Sequence, residues 1–150
     1  MAYENKVYMS WEEVHTHTKA LCDLIRHNNK EFKGIVCVTR GGLVPCAIVA
    51  SELKIKKIET FSITSYSNYA QGIDIKTLSV PCQALIDEGA GWLVIDELLD
   101  TGNTAKYIKH RLPKASFYCL YSKILEDSFL EGYVKYFPKE TWIYLPWEIS

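Results

Sequence analysis

The 150 residues carry 17 Lys+Arg against 18 Asp+Glu, a formal net charge of −1, and 48% of them are hydrophobic. A chain of this length buries roughly 68–70% of its unfolded surface, so residues 1–150 read as one domain with its own core, needing no disulfide or metal staple, and intrinsic disorder is excluded. The balanced charge excludes the broad basic face by which a protein holds DNA or RNA, so any phosphate bound here is met locally.

The first predicted element is a helix. Ser10 and Glu13 have the spacing of a capping box and Met9 and Val14 that of a hydrophobic staple, while Trp11, Val14, Thr18, Leu21, Cys22 and Ile25 recur at helical spacing as one apolar face. Ile35-Val36-Cys37-Val38 is short and continuously apolar, the mark of a parallel strand buried on both faces, and it runs into Thr39-Arg40-Gly41-Gly42. A second helix is expected over Leu43 to Leu53, with Pro45 tolerated in its first turn. Ile58 to Thr64 reads as a strand.

Ser65 to Ala90 has no helical period. Its middle, Ile73-Asp74-Ile75-Lys76-Thr77-Leu78, alternates like part of a hairpin, and so long a connection in a small domain reads as a working loop or lid. Trp92 to Ile95 is a third buried strand, leading into Asp96-Glu97-Leu98-Leu99-Asp100-Thr101-Gly102-Asn103-Thr104. The next helix turns Ala105, Ile108 and Leu112 inward, gathers Lys106, Lys109 and Arg111 toward its C-terminus, and stops at Pro113. Ser116 to Ser122 and Tyr133 to Phe137 are the last predicted strands, followed by an aromatic tail from Thr141 to Trp147.

Strands alternating with helices make an α/β domain with a mostly parallel sheet flanked by helices, whose ligands bind beyond the carboxyl ends of the strands. Five cysteines, an odd number without a CxxC pair, read as reduced and mostly buried thiols. With no apolar stretch in Met1 to Lys6 and no run of about 18 apolar residues, a cytoplasmic protein without a membrane span is expected.

Two loops at the strand ends carry the chemistry. Thr101-Gly102-Asn103-Thr104 at a helix N-terminus offers N–H groups, two hydroxyls and the positive end of the dipole, which is a phosphate cradle without a lysine. Asp96, Glu97 and Asp100 would repel that phosphate unless they faced hydroxyls, a magnesium ion or a carbon acquiring positive charge. A phosphorylated sugar satisfies both halves.

The run Val94 to Ala105 resembles the signature by which type I phosphoribosyltransferases bind phosphoribosyl pyrophosphate. The likeness extends to Ser10-Trp11, to Gly34 through Leu53, to Ser65-Tyr66, to Lys123, and to Thr141-Trp142-Ile143 with Pro146-Trp147, where the chain is similar to the bacterial xanthine-guanine branch of that family. The resemblance implies the type I fold, with a long flexible loop and a short C-terminal hood. It implies a magnesium-dependent purine salvage enzyme, a homotetramer or homodimer, that transfers the phosphoribosyl group to guanine, xanthine or hypoxanthine.

Carried over by residue, it makes Asp100 the general base at the purine N7 and assigns Asp100, Thr101, Gly102, Asn103 and Thr104 to the 5′-phosphate. Asp96 and Glu97 take the ribose hydroxyls and the metal, with Asp96 the metal ligand. Thr39, Arg40, Gly41 and Gly42 take the pyrophosphate. Lys123 donates to the purine O6, Trp142 stacks on the base, the Ile143 backbone accepts from a 2-amino group, and Ser65, Tyr66 and Lys76 belong to the flexible loop. Asn103 stands where the family has a second glycine, and asparagine is among the least costly residues at positive φ. Alternatives are a phosphoribosyltransferase for another base and a regulator that senses phosphoribosyl pyrophosphate and binds RNA, against which the near-neutral charge counts.

Overall fold

The computed structural model describes residues 5–68 and 72–148. Its main sheet runs β4-β3-β2-β5-β6-β7, from β2 (Gly34–Thr39), β3 (Ile58–Asn68), β4 (Gly72–Ser79), β5 (Trp92–Leu99), β6 (Ser116–Ser122) and β7 (Leu130–Gly132), with β8 (Lys135–Tyr136) also on β6. Every pairing in it is parallel except β3 with β4. The helices are α1 (Trp11–His27), α2 (Leu43–Leu53), α3 (Cys82–Ile86) and α4 (Asn103–Arg111).

Both faces of the sheet are covered, as continuously apolar strands require. Ile35, Cys37, Leu93, Ile95, Tyr118 and Leu120 pack with Val14, Leu21 and Ile25 of α1 and Val49 of α2. Their strand neighbours Val36, Val38, Val94, Phe117 and Cys119 turn to the other side, against Ala84 of α3 and Ala105 and Ile108 of α4. Four of the five cysteines are buried, Cys82 is exposed, and all five are free thiols. No helix among the described residues is long and apolar enough to cross a membrane.

α1 begins as its sequence indicates: Ser10 caps it by accepting from the Glu13 N–H at 3.0 Å, and Met9 and Val14 are both buried. The reciprocal half of the capping box is replaced, because the Ser10 hydroxyl donates to the Glu13 carboxylate at 3.2 Å. Trp11, expected on the buried face, is 57% exposed and lies 6.0 Å, centroid to centroid, from Trp147. The ends of α2 and β6 agree with the reading from sequence.

Other expectations need correction. The segment read as a loop over 65–90 is largely regular among its described residues: β3 continues to Asn68, β4 returns antiparallel to it, and the short helix α3 follows, while residues 69–71 lie outside those described. The strand expected over Tyr133 to Phe137 shrinks to the two residues of β8, and β7 forms ahead of it at Leu130–Gly132, in irregular register against β6. The first strand of the chain also lies where none is expected. β1 (Asn5–Tyr8) pairs in parallel with β9 (Thr141–Tyr144), and this two-stranded sheet is the hood.

Candidate active site

β5 loses its neighbour on one side before it ends. Its pairing with β2 stops at Cys37 opposite Ile95, while its pairing with β6 continues to Leu99 opposite Ser122. Asp96 and Glu97 therefore lie on strand, not in a loop, flanked on the open side by the turn after β2. In that turn the Gly42 N–H donates to the Val38 carbonyl at 2.8 Å and the Leu43 N–H to the Arg40 carbonyl at 3.0 Å, and the Thr39–Arg40 peptide is cis.

A cavity of about 240 Å³ lies between the two chain segments, lined by Thr39, Arg40 and Gly41 on one side and by Asp96, Glu97, Asp100, Thr101, Gly102 and Thr104 on the other. It adjoins a wider one of about 1010 Å³ that shares Thr39, Arg40, Gly41 and Glu97 and is walled by Leu43, Ile63, Leu78, Trp147 and Glu148. Gly42 packs just outside, in contact range of the Val38 and Ile95 carbonyls.

The loop after β5 reaches α4 through Gly102, whose φ of +88° is the left-handed conformation that glycine adopts freely. Asn103 does not need that conformation. It is the first residue of α4, and its N–H donates to the Thr101 hydroxyl at 3.4 Å. Gly102, the N-cap, has no side chain to cap α4, and beyond that one contact the first turn, with Gly102, Thr104 and Ala105, lines the cavity.

The carboxylates are in three different states. Asp96 is buried and accepts from the Glu97 N–H at 2.8 Å, and burial pushes its carboxyl up to about 7 against that bond. Burial, then the charges of Asp96 and Glu148, push Glu97 up to about 9, and its carboxylate lies directly over the Cα of Gly41. Asp100 is half-exposed and lies 3.5 Å from the ammonium of Lys123, whose side chain is only 3% exposed. The Lys123 N–H is tied to the Leu99 carbonyl at 2.8 Å, which fixes this lysine to the end of β5.

Asp96 and Glu97 keep their protons to higher pH in the folded chain than in the unfolded one. Their contribution to stability is thus full below the unfolded values of 3.8 and 4.5 and is lost as pH rises through about 7 for Asp96 and about 9 for Glu97. The ligand-free protein is expected to melt several degrees lower at pH 9 than at pH 5, with Glu97→Gln removing the upper part of that decline. Thermal melts across this range check it, and a flat profile would mean that neither carboxyl is desolvated.

The remaining site residues expected from sequence are more dispersed. Trp142 and Ile143 lie on β9, Trp142 part-exposed with its ring 6.1 Å from that of Tyr144, and Ile143 buried opposite Val7. They line neither cavity. Ser65 and Tyr66 fall in β3 opposite Ile75 and Asp74, and Lys76 is exposed on β4 opposite Thr64, which lines the wider cavity. Sequence reasoning missed Glu148 and gave Trp147 no role, although both wall that cavity.

Residues 10–144 match the family model described as a phosphoribosyl transferase domain. The chain is 38% identical over 144 residues to the xanthine-guanine phosphoribosyltransferase of Idiomarina loihiensis, covering 95% of this chain and 86% of that one. It is 36% identical over 148 residues to the protein of the same name from Chromohalobacter salexigens, covering 99% and 87%. Among solved structures, the purine phosphoribosyltransferase of Pyrococcus horikoshii shares the fold, with a TM-score of 0.79 at 24% identity, covering 97% of this chain and 95% of that one.

Proposed function

The chain belongs to the phosphoribosyl transferase family, and from that premise we propose that it transfers the 5-phosphoribosyl group from phosphoribosyl pyrophosphate to guanine, xanthine or hypoxanthine, releasing pyrophosphate. The observation that carries the choice of base is the approach of Lys123 to Asp100 at 3.5 Å. A 6-oxopurine presents O6 beside N7 on one edge. An ammonium, which only donates, suits O6, and a carboxylate suits the N7 proton.

The other roles are assigned on the same reading. The open N-terminus of α4 with Thr101 and Thr104 receives the 5′-phosphate, with Gly102 and Asn103 supplying the backbone of the cradle. Thr39, Arg40, Gly41 and Gly42 receive the pyrophosphate, Arg40 adding a fork of donors. As the bond to pyrophosphate breaks, the sugar ring gains oxocarbenium character, which the nearby carboxylates stabilise, while Asp100 takes the N7 proton. Trp147 walls the wider cavity on the hood side, the roles of Trp142 and Ile143 at the base rest on the family resemblance and require the hood to close further, and the strands bearing Ser65, Tyr66 and Lys76 cover the other side.

Asp96 and Glu97 fit magnesium. Asp96, buried, and Glu97, part-buried, are both pushed up by desolvation and gain from a cation, and that ion takes one or two carboxylates together with substrate oxygens and water. Bound there, it would supply charge neutralisation for the ribose hydroxyls and the leaving pyrophosphate. The free thiols suit a cytoplasmic protein, and the exposed Tyr8 and Trp11 suit assembly as a homodimer or homotetramer.

Incubation with phosphoribosyl pyrophosphate, magnesium and each purine, followed by separation of products, tests the reading; no nucleotide at high enzyme concentration overturns it. Lys123→Ala is expected to cut kcat/KM for guanine by about 10²–10³-fold without a matching loss of affinity for phosphoribosyl pyrophosphate. An unchanged preference for guanine over adenine in that variant would remove O6 recognition from Lys123.

A further inference from the structure

A cavity of about 610 Å³ lies at the amino ends of β2 and β3, the edge of the sheet remote from Asp96 to Thr104. Its floor is apolar, made by Ile25, Phe32, Leu53 and Ile55 of the α1/α2 core. Arg26, Lys30, Lys33, Lys54, Lys56 and Lys57 line it, against the single carboxylate of Glu31. A chain of net charge −1 thus places six of its 17 basic residues around one hollow.

Three of these cations are occupied from outside: Lys30 by Glu131 at 2.9 Å, Lys33 by Asp87 at 3.6 Å, and Arg26 by Asp23 at 3.1 Å and Glu52 at 3.5 Å. Among the described residues, Lys54, Lys56 and Lys57 form no salt bridge, and the Lys57 ammonium stands 6.0 Å from the centroid of the Trp92 ring.

The backbone shows how these three reach the rim. α2 ends at Lys54, and the Ile55 N–H bonds back to the Ala50 carbonyl at 3.0 Å, a closure that packs the residue after the cap against the helix. Ile55 is drawn into the floor and its neighbours Lys54 and Lys56 are left on either side. Lys54 adopts φ +57°, ψ +40°, the left-handed conformation that glycine takes without steric cost. The helix dipole favours one cation at this end, but Lys56 and Lys57 lie beyond the helix, on the approach to β3.

We propose that this cavity binds a small polyanion with an apolar or aromatic body, the chemistry of a nucleoside polyphosphate. The phosphates lie against Lys54, Lys56 and Lys57, and the body covers Phe32, Leu53 and Ile55. The volume is that of a site for a compact organic ligand and far exceeds what a lone phosphate fills.

Titration calorimetry on the full chain tests this with ATP, adenosine and tripolyphosphate as probes, on the parent and on Lys56→Ala/Lys57→Ala, Lys54→Gly and Arg40→Ala. ATP affinity is expected to fall by at least about tenfold in the double variant and about threefold in Lys54→Gly, and to hold in Arg40→Ala. Lys54→Gly is expected to melt at or above the parent temperature, whereas a lysine kept for stability alone would lower it. Adenosine and tripolyphosphate should each bind more weakly than ATP. No saturable binding by about 1 mM ATP, unchanged affinity in the double variant, or loss confined to Arg40→Ala overturns the proposal. Tripolyphosphate binding as tightly as ATP overturns the role of the floor. None of these readouts depends on phosphoribosyl transfer, so failure here and failure of that reaction are separate results.

Discussion

Asp100→Asn is expected to lower kcat for nucleotide formation by about 10²–10⁴-fold while leaving the affinity for phosphoribosyl pyrophosphate within about threefold. The amide has nearly the shape of the carboxylate and still accepts a hydrogen bond, but it cannot take the N7 proton. The groups placed around the 5′-phosphate, namely Thr101, Thr104 and the first turn of α4, are untouched. Asp100 also neutralises Lys123, whose buried ammonium is 3.5 Å away, so some stability should be lost as well. A melting curve beside steady-state kinetics and equilibrium dialysis separates the two effects. Turnover within about fivefold of the parent would show that another group accepts the proton.

Gly42→Ala is expected to lower stability by about 2–3 kcal/mol, a fall of roughly 5–10 °C in melting temperature, and to abolish turnover. Gly42 has φ −76°, which any residue adopts, so its reason for being glycine is space. A Cβ there would stand 2.6 Å from the Val38 carbonyl oxygen and 2.8 Å from that of Ile95, main-chain atoms of two central strands that cannot swing aside. Gly41 makes the informative contrast. Its added Cβ would meet the Glu97 carboxylate, the far end of a flexible side chain. Gly41→Ala should therefore cost less than about 1 kcal/mol and still impair catalysis by displacing Glu97. Equal melting temperatures for both variants would mean that the turn after β2 is not held between β2 and β5.

Legibility from sequence followed locality. α2 and β6 were readable because their ends are set by nearby residues and their interiors by continuous burial. β5 was read as ending at Ile95 because Asp96 and Glu97 interrupt the apolar run, yet the ladder with β6 carries it on to Leu99. α3 has five residues, too few for a periodic signal, and its first-turn N–H groups of Gln83 and Ala84 are capped from β3 by the Glu59 carboxylate, a partner distant in sequence. β1 is mostly exposed and owes its conformation to a partner at the other end of the chain. The same distance hid part of the site. The phosphate cradle is contiguous in sequence, but Trp147 and Glu148 reach the wider cavity only through the hood.

The pairing of β1 with β9, Asn5 opposite Thr141, also bears on how the molecule assembles. These are contacts of very large sequence separation, so closing the loop between them costs entropy before they form. The two-stranded sheet adds no strand to the main one, and its ladder is only four residue pairs long. It is therefore expected to open at lower cost than the main sheet. Native-state amide exchange should find β1 and β9 opening together as one cooperative unit while β2, β5 and β6 stay closed, so that this small sheet moves independently of the strands that carry Asp96 and Glu97.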